Sequence, residues 1–148
     1  MELVSEITAR LENKPGRLAK ICSALAQEKV DLQAISVMET AAGSSVLRLV
    51  ASDVEAARRI LTALGTESTV AEVLAVQVDN RTGALAGVLE KLAAENINIE
   101  YAYISSSANQ GKALAILHTT NVKRAQQVLR DAAPVAEKAG GRRPLHSR

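Results

Sequence analysis

Two short turns carry the residue types that could do chemistry in this chain. The first, Asn13-Lys14-Pro15-Gly16-Arg17-Leu18, runs straight into an apolar pattern of helical period. Proline there pre-sets φ near about −65°, which suits a first helical residue, and the glycine beside it lets another group approach the backbone closely. The free N–H groups and positive dipole end of such a helix attract a carboxylate or a phosphate. Asn13 both donates and accepts hydrogen bonds, which suits a zwitterion bearing an ammonium beside its carboxylate. The second turn, Asp79-Asn80-Arg81-Thr82-Gly83-Ala84-Leu85, rebuilds the first with Thr82 in the place of proline. Two readings of the pair stand open: a ligand site used twice, or a good helix start retained because both halves fold alike.

Other chemistry is sparse. His118 is the only histidine before the last ten residues, and it has no evident partner, so a satisfied structural histidine is expected on its strand. Cys22, the single cysteine, falls among apolar positions and reads as inert core; it can form no internal disulfide, which fits a reducing cytoplasm. No Cys/His cluster has metal-ligand spacing and no phosphate-loop glycine pattern is present. The residues therefore argue against an enzyme and call for no metal or cofactor.

The elements that must position the turns are written twice. Residues 11–33 return at 78–100 with a shift of 67: Asn13, Gly16, Leu18, Ala19, Leu25, Ala26 and Glu28 recur as Asn80, Gly83, Leu85, Ala86, Leu92, Ala93 and Glu95. Residues 3–10 read as a strand. Leu18, Ile21, Cys22 and Leu25 paint one face of a helix over 15–28. Strands follow at 31–39 and 44–52, then a helix capped by Asp53 with Ala57, Ile60, Leu61 and Leu64 inward and Gly65 at its end. Residues 70–78 read as a strand shared by both copies. The second copy repeats the order: a helix face of Leu85, Val88, Leu89 and Leu92, and a strand at 96–105 with Ile97, Ile99, Tyr101 and Tyr103 along one face. After them come the strand KALAILHTT and a helix capped by Asn121. Asp53 matches Asn121 at a shift of 68, so the hairpin turn has gained one residue. Each copy is thus β-α-β-β-α-β. The fold class is α+β, a ferredoxin-like unit repeated twice, antiparallel with helices on one face. The units fall at 1–70 and 71–138, with a basic tail at 139–148.

Composition agrees. Units of about 70 residues are marginal alone, so they should pack together, dimerise, or both. The 148 residues are 47% hydrophobic and 23% charged, a globular balance. No apolar run reaches the roughly 18 residues of a membrane span, and residues 1–10 lack the basic and apolar regions of a signal peptide. These features predict a cytoplasmic protein with no membrane partner. Arg142, Arg143 and Arg148 account for the net charge of +2; residues 1–138 carry 15 Lys+Arg against 16 Asp+Glu. An RNA-binding domain of the same strand order needs exposed aromatics and a basic sheet face. With 1% aromatic content and a near-neutral body, no nucleic-acid partner is expected.

An Asn-x-Pro-Gly-x-Leu turn after a first strand, inside a βαββαβ unit of this size, resembles the ACT domain, a small-molecule regulatory module of amino-acid metabolism. The likeness covers residues 3–138, and LENKPGRL and IEYAY are its most particular points. The resemblance implies units paired sheet edge to sheet edge, often within homodimers. It also implies a free amino acid as effector, bound between the turn before the first helix and the second strand of a facing unit. Carried onto this chain, it implicates Asn13, Pro15, Gly16 and Leu18 in the first turn, and Asn80, Thr82, Gly83 and Leu85 in the second. Thr82 departs from the motif and puts the second pocket in doubt. The strands completing the pockets would contribute Ile35 and Val37, and Tyr101 and Tyr103; core filling competes with pocket lining for the tyrosines. The expected function is a non-catalytic amino-acid-binding regulatory protein. The alternative is a regulatory subunit or adaptor that docks on an enzyme of amino-acid metabolism without a ligand of its own.

Overall fold

The computed structural model describes residues 1–106 and 111–131. The alternating and helical patterns become β1 (Glu2–Glu12), α1 (Arg17–Gln27), β2 (Leu32–Ala41), β3 (Ser44–Ala51) and α2 (Val54–Ala63). They are followed by β4 (Ser68–Asp79), α3 (Ala84–Ala94), β5 (Ile99–Ser106), β6 (Lys112–Thr119) and α4 (Val122–Asp131). The six strands form one antiparallel sheet in the order β2-β3-β1-β4-β6-β5. This is the α+β, doubled ferredoxin-like arrangement that the sequence predicts. A last strand for the second copy, and the tail, fall outside the described residues.

β4 does serve both copies. Its first part pairs with β1 (Ser68↔Ala9 through Ala75↔Glu2) and its second part with β6 (Leu74↔Leu117 through Asp79↔Lys112). The β1–β4 register has a local dyad. Leu3 pairs with Leu74 and Ile7 with Val70, which exchange under the shift of 67, and Ser5↔Glu72 lies at the centre. The two copies therefore join edge to edge through their equivalent first strands.

Helix-side burial follows the repeat at most positions, with Ala56 buried against exposed Arg124 as an exception. Ile7, Ala9, Leu11, Leu25, Leu49 and Leu61 build a first core; Leu74, Val76, Val78, Leu92, Leu117 and Leu129 build a second. Helix pairs α1–α2 and α3–α4 cover these cores. Cys22 is half-buried and outside the first core's buried cluster. On the helix-free side the sheet curls until its edge strands β2 and β5 touch. Inside the curl, Ala34, Val50, Val73, Ala75 and Ile116 form a third core with no helix over it.

One parity differs from the sequence reading. Ile99 packs on the second, helix-side core, whereas Tyr103 packs on the third core across the sheet. A register shift between Ile99 and Tyr101 is the cause: a bulge adds a residue and reverses the alternation beyond it. The same shift stands between Leu32 and Ala34 in β2.

Candidate functional site

The two turns agree bond for bond. Asn13 N–H donates to Gly43 O at 3.0 Å and Asn80 N–H to Gly111 O at 2.8 Å, so each turn leans on the hairpin of its own unit. Lys14 N–H reaches Glu12 O at 2.9 Å, and Arg81 N–H reaches Asp79 O at 2.8 Å. Arg17 N–H to Lys14 O (3.3 Å) is matched by Ala84 N–H to Arg81 O (3.2 Å). Gly16 and Gly83 have φ of 85° and 86°, a left-handed backbone that glycine adopts without strain. Space is not their purpose, since a Cβ at either would meet nothing within 4 Å. The helices begin at Arg17 and Ala84, so Pro15 and Thr82 sit in the turns and not at the first helical position.

Capping separates these helices from the other two. Asp53 Oδ1 accepts from Ala56 N–H at 3.0 Å at the start of α2, and Asn121 Oδ1 from Arg124 N–H at 3.0 Å at the start of α4. Neither α1 nor α3 has a side-chain cap. The helix ends without one are those behind the Asn-x-x-Gly turns, where N–H groups need an acceptor from outside the helix.

Around the first turn, Asn13 Nδ2 donates to Glu39 Oε2 at 3.2 Å and ties the turn to β2. Lys14 Nζ lies 3.2 Å from Glu12. Ile35 and Val37 stand on β2 with 39% and 42% exposure, and their register partners Leu49 and Leu47 belong to the first, helix-side core. Around the second turn, Asp79 is bonded to Lys112 and lies 3.5 Å from Arg81. The Lys112 hydrogen bond and charge, with Arg81 adding, hold the Asp79 carboxyl below the ordinary range. Leu18 and Leu85 pack against the first and second cores, so both act as anchors under the turns.

Tyr101 and Tyr103 belong to a different constellation. Both hydroxyls donate to the carboxylate of Glu6, Tyr103 at 2.7 Å to Oε2 and Tyr101 to Oε1. Glu6 is fully buried beneath the curl of the sheet. The Arg48 guanidinium lies 4.0 Å from the Tyr101 ring centre, a cation–π contact, and His118 stacks on the same ring at 4.7 Å. His118 Nδ1 is 2.8 Å from Glu100. Burial first, then the Glu6 bond and charge, push both phenols above their ordinary pKa. The structure thus joins Asn13 with β2 near Ile35 and Val37, and commits both tyrosines to Glu6 on the helix-free side. The equivalents of Ile35 and Val37 in the second copy are Ala102 and Ile104, and Ile104 is 51% exposed. Sequence reasoning took in the segment 101–105 that holds both but singled out its tyrosines, although adding 67 to each number picks them out. Glu6 was missed as well, and nothing in its local sequence marks it as buried.

Paired edge-to-edge units, a helix behind each of two glycine turns and a shared central strand define a doubled ferredoxin-like module. The model of the ACT domain pair matches residues 2–138, and the chain belongs to that family. A protein of Bacteroides thetaiotaomicron is similar at 32% identity over 88% of both chains, with a TM-score of 0.79. The ligand-free regulatory subunit of aspartate kinase from Thermus thermophilus shares the fold at 15% identity, covering 90% of this chain and 96% of that one, with a TM-score of 0.66. Aspartate kinase from Synechocystis shares it at 21% identity over 96% of this chain and 28% of that one, TM-score 0.58. No curated protein matches significantly. Among the described residues there is no cluster of metal-ligating side chains, and no helix is long and apolar enough to cross a membrane.

Proposed function

We propose that this chain is a non-catalytic, cytoplasmic regulatory protein that binds a free amino acid. The observation that carries this reading is the pair of helices without side-chain caps behind superimposable turns, beside two capped helices of the same fold. An effector carboxylate would bind at the α1 N-terminus beyond Pro15-Gly16, or at α3 beyond Thr82-Gly83, where free N–H groups and the helix dipole favour an anion. Asn13 or Asn80 would contact its polar head. Ile35 and Val37, or Ala102 and Ile104, would line the side-chain pocket at an interface with a second protomer that covers these exposed side chains. The units we assign, 1–70 and 71–138, divide inside β4, so a change in one is felt by the other through a common strand.

The likeness to a regulatory subunit of aspartate kinase favours a partner enzyme of amino-acid metabolism as the recipient of the signal. It also supports the second reading, a subunit that docks on such an enzyme without its own ligand. Thermal unfolding against the twenty amino acids, followed by circular dichroism, separates the two. A ligand at about a hundred times its Kd stabilises the native state by about 2.7 kcal/mol, a shift of several degrees. That shift should vanish in Asn13→Ala/Asn80→Ala while the unliganded melting temperature holds. An unchanged shift in the double variant removes the turns from the site.

A further inference from the structure

On the other side of β1 from the hairpin contact lies a concavity whose side chains, apart from the shared start of α1, the reading above does not use. β3 pairs with β1 as far as Glu12, but β4 begins only at Ser68, opposite Ala9. The β4-facing edge of β1 from Arg10 to Glu12 therefore carries no strand. Between that open edge, the start of α1 and the segment joining α2 to β4 is a cleft of about 790 Å³. That volume lies within the ~300–1,000 Å³ usual for small-molecule sites.

Three guanidinium groups line it: Arg10, Arg17 and Arg58. Arg17 donates only to neutral oxygens, Leu64 O at 3.2 Å and the hydroxyl of buried Thr66 at 3.0 Å. Its Nε is buried without a partner. Arg58 reaches the Ser68 carbonyl at 3.4 Å. Among the described residues no carboxylate lies within ion-pairing distance of any of the three; Glu12 at the rim is engaged by Lys14. Glu12 and Glu67 also line the cleft, but neither pairs with these arginines. Three guanidinium groups against two carboxylates leave hydroxyl-lined space with an excess of positive charge that an incoming anion would satisfy. Guanidinium forks match the two-oxygen edge of a carboxylate or phosphate.

The second copy shows that the fold does not need these cations. At the equivalent positions it has Gln77, Ala84 and Gln126, all neutral, in elements of matching geometry. We propose that this cleft binds a small anionic metabolite through a carboxylate or phosphate group held by Arg10, Arg17 and Arg58. The site adjoins the first turn through Arg17 but uses neither Asn13 nor Asn80, and its three arginines belong to the first copy alone.

Isothermal titration of the full chain at low salt, with inorganic phosphate and with succinate as probes, tests it. One site per chain is expected for at least one probe; phosphate alone assigns a phosphate ligand, and succinate alone a carboxylate one. Arg10→Gln/Arg58→Gln should weaken that binding at least tenfold, whereas Arg17→Gln also loosens the loop and is read alongside its melting temperature. Asn13→Ala/Asn80→Ala should leave anion binding unchanged, which keeps this outcome separate from that of the amino-acid site. Binding of neither probe, affinity unaltered in Arg10→Gln/Arg58→Gln, or binding lost in the asparagine variant would each overturn the proposal.

Discussion

Ile7 and Leu74, Leu25 and Leu92, Leu61 and Leu129 fill equivalent places under the helices of the two units, all buried and all apolar. Across the sheet the equivalence fails. Glu6 and Val73 are both fully buried, yet one is a carboxylate and the other a valine. Ala34 and Ser36 in β2 face Tyr101 and Tyr103 as their counterparts in β5, and Arg48 corresponds to Ile116. The duplicated chain has kept its helix-side cores alike, because each must satisfy the same two helices on the same strands. It has diverged on the curled face and in the cleft, where burial against a helix imposes nothing. Differences between such copies mark where chemistry has been placed.

The strongest test of the likeness is removal of a matched core leucine. Leu25→Ala and Leu92→Ala should each destabilise the chain by about 2–5 kcal/mol, the usual cost of lost burial plus a residual cavity. In urea unfolding the two losses should agree within about 1 kcal/mol. A difference of several-fold would mean that one unit carries the stability and the other merely docks on it.

The asymmetric face offers the sharper contrast. Glu6→Val installs the residue of the other copy but strands two tyrosine hydroxyls. Hydrogen bonds to charged groups contribute about 1.5–3 kcal/mol each, so a loss of about 2 kcal/mol is expected after allowing for the half-exposed rings. Adding Tyr101→Phe and Tyr103→Phe removes the orphaned donors and should recover much of the loss. No recovery would show that Glu6 is held for some other partner. The tyrosines also set a pH signature. Their folded pKa values are raised, so the stability they confer is full below the ordinary phenol value of 10.0 and falls as pH rises above it. Since these are the chain's only aromatics besides histidine, phenolate absorbance reads them directly. Ionisation should stay displaced upward until the chain unfolds, and less so in Glu6→Val.

Much of this architecture was legible in one dimension. Leu18, Ile21 and Leu25 at helical spacing, Asp53 and Asn121 ahead of their helices, and the strand 70–78 used by both copies all appear where local pattern puts them. The turns were legible too, because a repeat exposes them. What escaped depends on pairings far apart in sequence. The alternation of LVSEITAR says only that Glu6 points away from the helices; that the sheet curls over it is set by β2 meeting β5. The bulge before Tyr101 adds one residue and so reverses which face the tyrosines take. Arg10, Arg17 and Arg58 are scattered along the chain, and only the late start of β4 leaves the gap that gathers them.

The smallest effect probes the one place where the turns differ. Pro15 and Thr82 occupy equivalent backbone positions, and the bonds on either side of them agree within 0.1 Å (3.3 against 3.2 Å, 2.9 against 2.8 Å). Proline at a compatible position stabilises by about 0.4–1 kcal/mol, chiefly by restricting the unfolded chain. Thr82→Pro should therefore raise stability by about 0.5 kcal/mol with no change in the urea slope. Destabilisation would show that the second turn is shaped differently from the first. The same variant bears on ligand stoichiometry. If Thr82 leaves the second turn too loose to hold a carboxylate, calorimetry should count one amino acid per chain before the substitution and two after it. Two sites in both proteins would place the difference between the copies in the strands beyond the turn, at Ile35 and Val37 against Ala102 and Ile104.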